Sequence, residues 1–274
     1  VASFLPRARR RQKGRCAINF FGLPRAFKSL VLPSIVKNII EPNRMYKCDF
    51  FVHYNSLAFE SSGRSGKGGK IDPEEVRLLE DAVKRVNNDS TVQFSFTTEA
   101  DFWLHYKPLL DKIDNTTDPE GEPLYFPWRT STYIRPTTVN NIIKMWHSIQ
   151  EVYFLMERFG TTHHVDYETV AMLRSDVLYM TPIDLYEYPD KLVVPGFNRF
   201  PVNDRAVYGP AKAVRIWATE RISRMEEHVQ RMYRDDRGYG LHSERFLKFT
   251  LFPAMSQEMN STEAFVEHPT LCFL

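Results

Sequence analysis

Arg174-Ser175-Asp176 concentrates opposite charges directly after an apolar run, Val170-Ala171-Met172-Leu173. Such a pair is costly to desolvate unless its members bind each other or a ligand. On these residues alone, a structural ion pair and a ligand site weigh about equally. Asn203-Asp204-Arg205 is a second polar triplet between apolar neighbours. An Asx-type turn explains its Asn and Asp but not the adjoining Arg. Gly22-Leu23-Pro24-Arg25 closes another apolar run with a sharp turn and a cation, and His242-Ser243-Glu244 stands near the end.

These residues need a frame. Val170 to Leu173 is too short for a helix and reads as a buried parallel strand. Arg174 and Asp176 then project from its carboxyl end, where open α/β sheets place ligands. Residues 16–21 and 49–54 read as two more strands joined by a helix over 27–40, a right-handed βαβ unit. Pro33 is expected to divide that helix, with Ser34 capping its second part. Asp72-Pro73-Glu74-Glu75 starts another helix and residues 91–96 alternate as a strand. Residues 97–135, aromatic and proline-rich with little periodicity, are expected to be an irregular, acceptor-facing excursion.

The strongest helical pattern runs from Pro136 to Phe159, with Gly160 as its stop. A strand over 191–194, a helix over 211–233 and a short helix from Ser243 or Glu244 to Phe249 complete the reading. The glycine-rich stretch 61–70 spaces Gly63 and Gly68 like a phosphate-binding loop. Gly69 stands where Lys is required and no strand precedes it, so that reading fails. The expected organisation is a basic tail over 1–15 and one α/β domain over 16–274, with a flexible loop at 55–71.

With 274 residues, 43% hydrophobic and 14% aromatic, the chain can build a substantial core and is not a disordered class. A formal charge of +2 gives no reason to expect nucleic acid, and the basic run ending at Arg15 lacks interleaved aromatics. No stretch approaches the ~20 apolar residues that span a bilayer. The start at Val1 reads as a fragment or processed form, so a membrane anchor is expected only upstream. Glycosylation sequons at Asn88, Asn115 and Asn260 permit a secretory location. Three cysteines exclude a disulfide-rich scaffold. Cys16 and Cys48 read as two small buried hydrophobes, although neighbouring strands would bring their thiols together.

In order, Phe-Gly-x-Pro-Arg, Asp-Phe-Phe-Val-His, Leu-Arg-Ser-Asp-Val, Asn-Asp-Arg-x-x-x-Gly and His-Ser-Glu resemble the GT-A-type nucleotide-diphospho-sugar transferases. The likeness is nearest to glycosyltransferase-like families of plants, algae and large viruses and covers residues 16–252. It implies a Rossmann-like, mostly parallel sheet flanked by helices. It also implies sugar transfer from a nucleotide-diphosphate donor to a glycan or glycoprotein hydroxyl in the Golgi lumen or secretory pathway. A catalytically inactive nucleotide-sugar-binding or scaffold module on the same fold is the alternative. Phe21, Gly22, Arg25, Arg174, Asp176, Asn203 and Arg205 would bind the donor, and Asp204 and Glu244 would be catalytic. Asp176 and His242 would hold a divalent cation, Mn or Mg. Here the sequence departs from the family's Asp-x-Asp. Arg174 replaces the first carboxylate, repels a cation, and can neutralise a diphosphate itself. His163, His164 and Asp166, following Gly160, read as a loop and not as a metal cluster.

Overall fold

A computed structural model of the chain describes residues 15–60, 68–127, 133–197, 200–235 and 240–268. Most of the basic run and most of the glycine-rich stretch lie outside these residues. Arg15, expected to be part of a solvated tail, instead opens the first strand and grips the buried carboxylate of Asp49, donating from Nε at 2.8 Å.

Nine strands form among the described residues: β1 (Arg15–Gly22), β2 (Cys48–Ser56), β3 (Phe59–Glu60), β4 (Gly69–Lys70), β5 (Val92–Thr98), β6 (Tyr167–Arg174), β7 (Leu192–Pro195), β8 (Ala206–Pro210) and β9 (Phe265–His268). Seven make the central sheet in the order β5-β2-β1-β6-β8-β7-β9, while β3 and β4 pair as a separate hairpin. Every pairing in the large sheet is parallel except those of β8, which runs against β6 and β7. The fold is therefore α/β, with a mostly parallel sheet flanked by helices. Alternation along β1 divides the core. Cys16, Ile18 and Phe20 face helical residues 27–43 and 78–86, whereas Ala17 and Phe21 face the Thr137–His163 helix.

The chain leaves β1 through β2 and β5 on one side, then returns to place β6 on the other. The strand order reverses between β1 and β6, and open α/β sheets bind ligands outside the carboxyl ends of such a pair. Parallel register sets Cys16 opposite Cys48, and the two are joined by a disulfide. The expectation of two separate thiols is thus corrected: adjacent strands brought them together.

Several helices differ from expectation for identifiable reasons. Residues 27–43 are one helical run, undivided by Pro33. Wide π-type turns over Phe27–Val31 and Val36–Ile40 immediately precede Pro33 and Pro42 in their short α segments, and a third, Leu247–Leu251, precedes Pro253. The wider turn keeps each proline ring off the carbonyl that its ring would otherwise strike. The carbonyl four residues before Pro42, that of Asn38, is thereby free to accept the Ile183 N–H at 2.8 Å. The expected 211–233 helix breaks into Ala211–Thr219 and Met225–Arg234. Between them Arg221 Nε donates to the Trp217 carbonyl at 2.9 Å, occupying the acceptor that a continuing helix would use.

The excursion over 97–135 contains a 17-residue helix, Glu99–Asn115, capped by the Thr98 hydroxyl. Gly160 does not stop its helix: the helix runs on to His163 and ends at His164 in the left-handed region. Gly160 is instead a point of close approach, since a Cβ there would lie 2.7 Å from the Val165 carbonyl oxygen.

Candidate functional site

The carboxyl ends of β1 and β6 meet where Phe21 pairs with Arg174. The Phe21 carbonyl accepts from the Ser175 N–H at 2.9 Å and from its hydroxyl at 3.0 Å, locking the two strand ends together. The Phe21 ring points away into the core, 5.9 Å from Trp217, so its side chain is spent on packing. Gly22 follows at φ +105°, a conformation that side-chain-bearing residues adopt only with strain. Its N–H donates to Ser148 Oγ at 2.9 Å on the long helix below. Ser148 in turn touches His53 Nδ1 at 2.8 Å, and Thr97, His147 and Tyr106 continue the buried polar row.

Above the turn lies a row of alternating charges. Arg174 bonds Asp176 with two fingers, Nε to Oδ1 and Nη2 to Oδ2, each at 2.7 Å. Arg25 donates a further bond to Asp176 Oδ2, and its other edge forks onto Glu60 of the β3–β4 hairpin. Burial pushes the Asp176 carboxyl up, but Arg174 and Arg25 more than offset this and hold it below the carboxylate range. Burial likewise lowers the Arg174 pKa, yet Asp176, with a further contribution from Asp204, raises it overall.

Asp204 reaches this place through the reversed strand. Leu173 pairs with Ala206, which lays Asn203 to Arg205 beside Arg174 to Asp176. The Asn203 side chain accepts the Arg205 N–H at 2.9 Å and donates to the Phe197 carbonyl at 3.0 Å, so the Asx turn forms and Asn203 is buried within it. Asp204 also sits in the field of Arg221, a fully buried guanidinium 4.0 Å above Trp217 whose terminal nitrogens find no acceptor among the described residues. Burial lowers the Arg221 pKa to about 9, with Asp204 opposing.

Gly22, Arg25, Arg174, Asp176 and Asp204 thus gather from separate stretches of sequence at one sheet end. His242 and Glu244 stand on a further segment. His242 Nδ1 lies 3.1 Å from Glu244 Oε2 and its ring lies near Tyr133. The link back runs through aromatic contacts: Phe246 packs tilted on Trp146, and Trp146 lies under Arg221.

Metal binding does not fit this arrangement. Both Asp176 oxygens already accept guanidinium bonds, so a cation bound there would sit against two positive groups. Among the described residues no three His, Cys, Asp or Glu side chains cluster as a metal site.

Three features escaped the sequence reading. Ser34, expected as a cap but instead donating to the Val31 carbonyl within the run, joins the buried Asn38 and Asn43 in bonding the backbone at Tyr179, Ile183 and Leu185, and the three fix the segment that follows Asp176. Glu60 lies in a stretch read as a flexible loop. Arg221 continues the apolar stripe of Val214, Trp217 and Met225, and a charge at such a position is the signal that could have exposed it. No family profile and no curated protein matches the chain.

Proposed function

We propose that the chain is a GT-A-type glycosyltransferase that moves a sugar from a nucleotide-diphosphate donor to a hydroxyl acceptor. The observation that carries this reading is the convergence of Gly22, Arg25, Arg174, Asp176 and Asp204 at the strand-order reversal. Arg25 and Arg174 would neutralise the departing diphosphate, a task usually the largest electrostatic demand of such a transfer. Asp176 and Asp204 would hold sugar hydroxyls, and Asn203 and Arg205 would set Asp204 in place. Glu244 or Asp204 would accept the proton of the attacking hydroxyl, with His242 orienting Glu244. No step is routed through a metal, because the arginine-bound Asp176 leaves no ready seat for one.

The acceptor in this reading is a glycan or glycoprotein of the secretory pathway, for which the Golgi lumen is the natural setting. The Cys16–Cys48 disulfide supports an oxidising compartment. No helix among the described residues is long and apolar enough to cross a membrane. The inactive-module alternative draws on one observation, that both arginines are already engaged by carboxylates.

Thermal unfolding with UDP- and GDP-sugars, with and without manganese, tests the proposal. Stabilisation by a donor in the absence of manganese is expected through mass action. Slow donor hydrolysis that is lost in Asp204→Asn or Glu244→Gln marks an enzyme. Binding with no turnover marks an inactive nucleotide-sugar-binding module, and no stabilisation by any donor overturns the transferase reading and leaves the scaffold.

A further inference from the structure

We propose that the chain is an N-glycosylated protein, modified at Asn88, Asn115 and Asn260. This rests on the disulfide and on the three turns themselves, and is independent of the sugar-transfer reading. All three asparagines are exposed. Asn88 lies in the turn before β5, Asn115 is the last residue of the Glu99–Asn115 helix, and Asn260 follows the Phe252–Glu258 helix with φ +49°. Three sequons falling on three exposed chain reversals are what modification requires, since a glycan cannot be housed in a core. The disulfide between β1 and β2 supplies the second observation, because such bonds persist in compartments where glycans are added.

The turns also rank the sites. Thr117 and Thr262, the hydroxyl members of the second and third sequons, are exposed. Ser90, the hydroxyl member of the first, is only 4% exposed. Its N–H is held by the Asn87 carbonyl at 3.3 Å and its carbonyl accepts from Lys84 Nζ at 2.7 Å. Asn88 is therefore open to modification only before β5 docks, whereas Asn115 and Asn260 stay accessible afterwards. Asn115 Nδ2 donates to the Asp111 carbonyl at 2.7 Å, and a glycosylated amide keeps one N–H for that bond. In each case Nδ2 bonds to the anomeric carbon of an oligosaccharide as that carbon's bond to a lipid-diphosphate carrier breaks. One Nδ2 proton is released and the diphosphate leaves on the lipid. Asn88 and Asn260 precede the edge strands β5 and β9 at their amino ends, opposite the sheet end that holds Arg25 and Asp176. Glycans there leave the candidate site open.

The test is expression of the full chain through a eukaryotic secretory pathway, followed by electrophoresis before and after amide-cleaving glycosidase, with peptide mass mapping. The expected result is a three-step mobility shift, with Asn115 and Asn260 filled nearly completely and Asn88 partly. Asn88→Gln, Asn115→Gln and Asn260→Gln should each remove one step. Ser90→Ala, Thr117→Ala and Thr262→Ala should do the same with the asparagine retained, which separates lost modification from lost folding. A secreted chain with the Cys16–Cys48 bond formed but no glycosidase-sensitive mass overturns the proposal, as does recovery of both thiols reduced.

Discussion

At the scale of single residues, Asp176 is the side chain on which the site's integrity rests. It is the counter-charge of two guanidinium groups, and its side chain is only 5% exposed. Asp176→Asn takes from Arg174 its bidentate partner and leaves Arg25 with Glu60 alone, and should cost roughly 3–5 kcal/mol in urea unfolding. The cost should shrink when Arg174→Gln is added, which a double-mutant cycle would read directly. The buried histidines set the acid limit of the fold. Burial, aided by His147, pulls the His53 pKa to about 3. Burial, aided by His105, takes His147 to about 4. Burial, with Arg231 and His242, takes His228 to about 3. Their folded values lie below the ordinary value of 6.5, so the unfolded chain binds more protons in between. Stability should be full above pH ~6.5 and fall by several kcal/mol towards pH ~4. His53→Gln should flatten that part of the profile, measured as urea midpoint against pH.

At the scale of elements, the polar residues buried on the 27–43 helical run decide how firmly the chain beyond Asp176 is held. Asn43 alone donates to the Ile183 carbonyl at 2.6 Å and accepts the Leu185 N–H at 3.0 Å. Asn43→Ala leaves those groups unsatisfied and should cost about 2–4 kcal/mol. Amide exchange should quicken first around Ile183 and Leu185, because local opening begins where backbone bonds have been removed. This clamp also shows where the sequence is readable. Val170 to Leu173 announced a buried strand, and Arg174 and Asp176 did project from its carboxyl end, because a continuous apolar run has few other solutions. The Glu99–Asn115 helix was hidden by Pro108 and by many aromatics, although Phe102, Tyr106, Leu110 and Ile113 keep helical spacing. Strand β8 was lost among polar and glycine residues, since its place is set by pairing with β6 and not by its own pattern. Asn38 and Asn43 look like ordinary surface residues until the segment they anchor is known. The meeting of Gly22 with Arg174 and Asp176 followed from strand ends and was legible, while the place of Asp204 depended on β8 and the Arg25–Glu60 fork on the hairpin's position.

At the scale of the whole molecule, the disulfide joins two neighbouring strands of the sheet and closes a loop with a sequence separation of 32. Constraint of the unfolded chain over such a loop is worth roughly 3–4 kcal/mol. The Cys16→Ala, Cys48→Ala double variant should lose stability of that order, seen as a lower urea midpoint, while keeping the sheet's circular dichroism. The row Glu60, Arg25, Asp176, Arg174, Asp204, Arg221 alternates in sign and sums to zero, on a chain whose formal charge is only +2. A highly charged visitor therefore meets no long-range pull. Its capture would be governed by how often an arginine lets go of its carboxylate, so the association rate constant should be modest and almost indifferent to added sodium chloride, unlike that of a funnel-shaped cationic cleft.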